Sequence, residues 1–244
     1  MSLVLATQAP GEPEIFASVQ GEGPSMGVPV AFVRLSRCNL ACQWCDTAYT
    51  WRFEGDNRPH RSGETYDRKS NQITLDEEDV AQRIAAHSQH RLVITGGEPL
   101  LQAGQLAEML VHIPDISVEI ETNGTVKPPA RLDVLVDQYN VSPKLAHSGN
   151  PAELALIPEM LDFWASEPRA FLKFVIAQPD DVEEVLQLQR HHRIAPSRIY
   201  LMAEGTDSDT IRSREKWLSA LCIEHGFRLS DRLHIHLFGD TRGT

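Results

Sequence analysis

Long hydrophobic runs are missing from this chain. No segment of its 244 residues approaches the ~18 uninterrupted apolar side chains that a membrane-crossing helix needs. A surplus of basic residues is missing too. With 34 acidic and 23 basic side chains the formal net charge is −11, and such a surface repels a phosphate backbone, so neither nucleic acid nor a membrane is expected as a partner. Cysteine is scarce, four in all, which is too few for a disulfide framework. The first ten residues hold no basic cluster and only a short apolar patch, Leu3 to Ala6, which falls short of a secretory signal, so the cytoplasm is the expected compartment.

What is present fits a globular chain, with 41% hydrophobic and 23% charged residues. Apolar runs of strand length recur at Val28–Leu35, Leu92–Thr95, Ser117–Thr122, Val134–Val141, Phe171–Ile176 and Ile199–Met202. Helical patterns lie between them, and that alternation predicts βαβ units around a parallel sheet. Thr74 with Glu77 reads as a capping box, and Pro179 with two aspartates opens a helix through Val182, Val185 and Leu186. Six such units fall short of an eightfold barrel. The expected fold is therefore α/β, a partial (open) α/β barrel of about six parallel strands, forming a single domain over residues 1–244. The polar stretch at about 49–72, with four arginines and three Gly or Pro residues, reads as a surface insert or lid.

Ligands gather at the carboxyl ends of parallel strands, and the unusual clusters of this chain all follow strands. Cys38, Cys42 and Cys45 form a C-x3-C-x2-C loop after Leu35. A structural zinc site takes four protein ligands, commonly as two close pairs, and no second pair is present. His60 lies in an unpatterned loop and reads as solvated. A [4Fe-4S] cluster held by three thiolates keeps one iron open for another ligand. Cys222 sits in an apolar helical pattern closed by Gly226 and reads as a small buried hydrophobe. Glu119 and Glu121 alternate with Val118 and Ile120, so both carboxylates face away from the aliphatic layer, and a ribose hydroxyl suits Glu121. Lys173, in an apolar strand, needs a partner carboxylate such as Glu121.

The cysteine loop, joined by Gly96-Gly97-Glu98-Pro99 after the next strand, resembles the signature of the radical S-adenosylmethionine enzymes. The resemblance implies a [4Fe-4S] cluster whose open iron binds S-adenosyl-L-methionine, with an electron from the cluster cleaving the sulfonium to give a hydrogen-abstracting radical. A narrower resemblance covers nearly the whole chain. Ser18-Val19-Gln20-Gly21-Glu22-Gly23, Arg34, Cys45-Asp46-Thr47, the segment from Thr95 through Pro99, Glu121-Thr122-Asn123-Gly124 and Ser142-Pro143-Lys144 are similar to motifs of the 7-carboxy-7-deazaguanine synthase family. That family converts a 6-carboxytetrahydropterin by hydrogen abstraction, ring contraction and loss of ammonia.

By that resemblance Val19, Gln20, Gly21, Glu22, Arg34 and Thr95 contact the pterin, Arg34 through its carboxylate. Trp44, Cys45, Asp46, Gly97, Glu98, Glu121, Ser142, Pro143, Lys144, Met202 and Glu204 contact adenosylmethionine, and Thr47 ligates Mg2+. An electron donor such as flavodoxin or ferredoxin and a homodimer are also implied. In this family the chain end can reach the substrate, but His236 to Thr244 matches no motif. A glycyl-radical-enzyme activase, which shares the cluster loop, is the alternative, and a zinc-binding interaction module is a rival of another class.

Overall fold

The structure, a computed structural model, describes residues 2–244. Its strands, in chain order, are β1 (Ser2–Ala9), β2 (Glu12–Pro13), β3 (Ile15–Val19), β4 (Pro29–Leu35), β5 (Gln72–Asp76), β6 (Arg91–Gly96), β7 (Ser117–Thr122), β8 (Gln138–Val141), β9 (Ala170–Ile176), β10 (Ile199–Ala203) and β11 (Arg228–Ser230). The strands β4, β6, β7, β8, β9, β10 and β11 pair in that order, all parallel. Beyond β4 the sheet turns antiparallel through β1, which pairs with β2, β4 and β5, while β3 also pairs with β4. The sheet is not closed, and the six expected parallel strands form its centre.

Period-two alternation sorts the side chains of these strands. Val33 and Leu35, Leu92 and Ile94, Val118 and Ile120, Leu172 and Phe174 face the covering helices and are fully or almost fully buried in the main core. The alternate positions, Arg34, Thr95, Glu121, Asn140, Lys173 and Met202, line the concave side. One strand set thus supplies both an apolar outer layer and a polar interior. Phe16 stacks on Phe32, centroids 5.0 Å apart, and with Val30 and Val93 forms a second apolar cluster.

Local expectations were corrected in three places. The Thr74–Glu77 capping box does not form, because Thr74 pairs with Val4 inside β5 and the helix Glu77–Ala85 is capped by Asp76, whose carboxylate accepts from the Asp79 N–H at 2.8 Å. The run from Val134 divides. A helical turn over Ala130–Asp133 carries Val134 and Leu135 outward, and β8 begins only at Gln138. Leu3–Ala6 is the centre of an eight-residue strand buried in the sheet, flanked by β4 and β5. The helix Ser208–His225 ends at Gly226 in the left-handed region (φ 71°), with Cys222 buried and free. No helix among the described residues is long and apolar enough to cross a membrane.

Candidate active site

A cavity of about 370 Å³ opens at the carboxyl ends of the parallel strands. Cys38, Cys42 and Cys45 all reach it, from a loop leaving β4. The Ala41 N–H donates to the Asn150 side-chain Oδ1 at 2.8 Å and the Gln43 N–H to the Ser148 carbonyl at 2.9 Å, so one side-chain and one backbone acceptor from beyond β8 hold the loop. Gly96 and Gly97 serve the same loop. A Cβ on Gly97 would lie 2.2 Å from the Arg37 carbonyl oxygen, and one on Gly96 2.1 Å from that of Leu35, so only glycine lets the end of β6 press against the turn that presents Cys38.

The residues suit a cluster held by sulfur. None of the thiols is in a disulfide. Asn150 Nδ2 donates to Cys42 Sγ at 3.2 Å and Trp51 Nε1 to Cys45 Sγ at 3.4 Å, while the Thr47 hydroxyl lies 3.6 Å from the same sulfur. Side-chain donors aimed at sulfur favour thiolate and tune a bound cluster. Burial opposes thiolate here. It pushes Cys38 up to about 12 and Cys45 up to about 11, so cationic iron is needed to displace the protons.

Polar side chains on the concave face are organised around three carboxylates. Glu121 accepts from Thr95 Oγ1 at 2.7 Å and from Gln20 Nε2 at 3.1 Å, and the same Gln20 nitrogen lies 2.8 Å from Glu119. Glu119 is fully buried, with Arg91 at 3.1 Å and Asn140 at 2.5 Å. Its carboxyl is raised by burial, which Ser25, Gln20 and Arg91 only partly counter. Glu22 accepts from Lys173 and, at 3.2 Å, from Arg232 Nε. Burial alone would raise the Glu22 carboxyl, but the two cations hold it well below the usual carboxylate range. Lys173 therefore pairs with Glu22 and not with Glu121. Gly21 is forced by its neighbour, since a Cβ there would meet His234 Nδ1 at 2.2 Å.

Arg34 lines the cavity, yet its Nε is already engaged, 2.7 Å from Glu14 Oε1. Glu14 is fully buried and also accepts from the Tyr49 hydroxyl at 3.0 Å. The guanidinium is thus clamped by Glu14 through its Nε, and no ion pair is seen at its two terminal nitrogens among the described residues. Thr47 has two roles that separate by atom: its carbonyl accepts from the Thr50 N–H at 2.9 Å to close a turn, while its side chain lines the cavity.

The other expected contact residues divide cleanly. Val19, Trp44, Asp46, Ser142, Lys144, Met202 and Glu204 line the same cavity. Lys144 Nζ donates to the Ser142 carbonyl at 2.8 Å, and Glu204 pairs with Arg61 of the insert at 2.9 Å. Glu98 and Pro143 are outside the lining. The Glu98 carboxylate, fully buried, instead accepts from the N–H groups of Leu100 (2.9 Å) and Asn123 (2.7 Å) and from the Thr122 hydroxyl (2.9 Å), binding two of the rim turns together.

Several lining residues escaped the sequence reading. Arg232 donates to Glu22, to Asp46 and to the Gly205 carbonyl, joining three rim segments through one buried guanidinium. His234, Asp240, Thr241, Arg242 and Thr244 follow it into the cavity wall. Arg242 sits 3.5 Å above the Tyr49 ring and donates to Asn71 Oδ1 at 2.9 Å, so the last residues rest on the insert. Within that insert Tyr49 to Phe53 are buried and Glu54 to Glu64 largely exposed. His60 is not simply solvated, because its Nε2 lies 2.9 Å from the Cys45 carbonyl oxygen.

An open α/β barrel whose rim gathers three thiols beside a polar cavity defines a radical S-adenosylmethionine enzyme, and the model of the Radical SAM superfamily matches residues 33–146. Over 234 residues the chain is 39% identical to the 7-carboxy-7-deazaguanine synthase of Pyrobaculum aerophilum, covering 94% of this chain and 95% of that one. It is 34% identical to the enzyme of the same name from Rhodopirellula baltica, covering 95% and 87%. The crystal structure of QueE from Escherichia coli superposes with a TM-score of 0.65 at 26% identity, covering 95% of each chain. The chain belongs to the 7-carboxy-7-deazaguanine synthase family.

Proposed function

We propose that this chain converts 6-carboxy-5,6,7,8-tetrahydropterin to 7-carboxy-7-deazaguanine with loss of ammonia, as a carbon–nitrogen lyase of 7-deazapurine (queuosine-type) biosynthesis. The observation that carries the reading is that the three free thiols and the segment Val19–Glu22 line one cavity, in a chain of this family. Family membership favours it over a glycyl-radical-enzyme activase, whose protein substrate needs a groove, and over a zinc module.

Cys38, Cys42 and Cys45 hold the [4Fe-4S] cluster. Bound there, cluster and adenosylmethionine together supply a radical able to take a hydrogen atom from the substrate. Trp44, Asp46, Gly97, Ser142, Lys144, Met202 and Glu204 surround adenosylmethionine. Glu98 and Pro143 support that site by fixing its turns. Glu121, held by Thr95 and Gln20, presents acceptor oxygens between the two ligands. Gln20, Gly21 and Glu22 meet the donor and acceptor edge of the pterin, and Arg34 takes its carboxylate with the edge that Glu14 leaves available. The Thr47 hydroxyl supplies one hard oxygen to Mg2+, which tolerates few protein ligands.

The chain acts as a single domain with the 49–72 insert beside the site, as a cytoplasmic homodimer reduced by flavodoxin or ferredoxin. Anaerobic incubation with reductant, adenosylmethionine, Mg2+ and the pterin tests the reading, with products read by mass spectrometry. Appearance of 7-carboxy-7-deazaguanine supports it. Unchanged pterin alongside continued adenosylmethionine cleavage contradicts it.

A further inference from the structure

The 49–72 insert is fastened to the cysteine loop at several points. Thr50 is fully buried, and its carbonyl accepts from the Arg37 N–H at 2.7 Å and from Ser36 Oγ at 2.8 Å, on the stretch that leads into Cys38. The Arg61 N–H donates to the Gln43 carbonyl at 2.7 Å, between Cys42 and Cys45. His60 Nε2 lies 2.9 Å from the Cys45 carbonyl oxygen, which can only accept, so that nitrogen carries the proton. Nδ1 is then free to accept from the Ser62 N–H at 3.3 Å. These contacts hold the insert against the loop.

Trp51 is placed by this anchoring. It directly follows Thr50 and is 5% exposed, with the Arg58 guanidinium 4.8 Å over its ring and His60 edge-on, centroids 6.2 Å apart. Its Nε1–H donates to Cys45 Sγ at 3.4 Å. A buried indole N–H without an acceptor costs roughly 1–3 kcal/mol, whereas phenylalanine would fill much of the same space with no polar atom to satisfy. Packing alone does not call for tryptophan here, and the sulfur does. The three thiols are served unequally. Cys38 meets Asn123 Nδ2 at 4.0 Å, and that amide also donates to Asn39 Oδ1 at 2.9 Å. Cys42 meets Asn150 Nδ2 at 3.2 Å, which also reaches Ser148 Oγ at 3.1 Å. The single N–H of Trp51 is given to Cys45 undivided. A [4Fe-4S] cluster that gains an electron spreads the added charge over its sulfurs, and a donor aimed at one of them favours the reduced state.

We propose that Trp51 is a positioning residue that sets how readily the cluster takes an electron, acting through Cys45 Sγ, and that the insert holds it there. The step it governs is the gain of one electron by the cluster from an external reductant, with no bond made or broken. The proposal rests on the cysteine loop holding a cluster, as proposed above, and is independent of the pterin reaction.

The test compares the wild-type chain with Trp51→Phe and Trp51→His, each loaded with cluster anaerobically and titrated with dithionite at about pH 8, where an ordinary imidazole is uncharged. The midpoint potential is read by electron paramagnetic resonance. Phenylalanine keeps an aromatic ring and loses the N–H, while histidine gives up the benzo ring and keeps a ring N–H where the indole carries it. Iron and sulfide content should match in all three. Trp51→Phe should be harder to reduce by about fivefold in the reduction equilibrium, and Trp51→His should stay within about twofold of wild type. An unchanged potential in Trp51→Phe would overturn the proposal, and so would an equal shift in both variants, which would assign the effect to the bulk of the ring. Loss of the cluster from Trp51→Phe would also overturn it, by making the indole a support of the loop. A wild-type chain that takes up no cluster would overturn the cluster reading and this proposal with it, whereas unshifted potentials in loaded proteins overturn this proposal alone.

Discussion

Arg232 and Asp46 form an ion pair across 186 residues of sequence, fastening the segment after β11 to the position between Cys45 and Thr47. The same guanidinium holds Glu22. Replacing Arg232 by Gln should leave two carboxylates short of their cation, and breaking a buried pair in this way costs roughly 3–5 kcal/mol. Denaturant unfolding of the cluster-free chain checks it. A loss under about 0.5 kcal/mol, as for an ordinary surface substitution, would show that the network contributes little.

Glu22 gives the fold an acid sensitivity of known sign. Its carboxyl is held below the usual value of 4.5 in the folded chain, the charges of Lys173 and Arg232 outweighing burial. Its contribution is therefore complete above that value and is lost as pH falls below it. Glu22→Gln should be less stable than wild type near neutrality, and the difference should shrink on acidification. A difference independent of pH would contradict this.

Arg34 serves the fold as well as the proposed substrate. Arg34→Ala should cost roughly 3–5 kcal/mol because Glu14 stays buried without its cation. Adding Glu14→Gln should recover part of that stability but none of the pterin affinity. Recovery of both would reduce Arg34 to a structural partner of Glu14.

Thr47→Ala should still assemble the cluster and cleave adenosylmethionine, yet lose most Mg2+ stimulation of pterin turnover. Thr47→Ser should keep it, since the oxygen remains. The turn itself uses the Thr47 carbonyl, so loss of folding is not expected. Full Mg2+ stimulation in Thr47→Ala would return the residue to its turn role.

Replacing Cys38, Cys42 or Cys45 by Ala should abolish the brown colour and the content of about four iron and four sulfide per chain. Cys222→Ala should keep both, at a packing cost of ~1 kcal/mol. Stoichiometric zinc without sulfide would overturn the cluster assignment.

The rim of the site was legible because it is local. Strand periodicity placed Glu121 opposite Ile120, and parallel pairing then brought every post-strand motif to one edge. What escaped depends on distance in sequence. Nothing in Leu3–Ala6 announces a strand until β5 arrives to pair with it, and Thr74 loses its capping role to that same pairing. Lys173 showed a need for a carboxylate but not which one, because Glu22 reaches it from 151 positions away. Glu98 sits in a ligand motif, yet its buried carboxylate is consumed by the N–H groups of neighbouring turns. Arg232 and Arg242 carried no motif at all, and their value lies in what the C-terminal segment packs against.

The central claim is that the cavity presents the carboxylate-bearing carbon of the pterin to a radical generated beside Cys38, Cys42 and Cys45. Its most direct test is to supply pterin deuterated at that carbon and follow the label by mass spectrometry. Deuterium should move to the 5′ carbon of the adenosyl group as 7-carboxy-7-deazaguanine forms. Adenosylmethionine cleavage with no deuterium in the adenosyl group, and labelled pterin returned intact, would contradict the account.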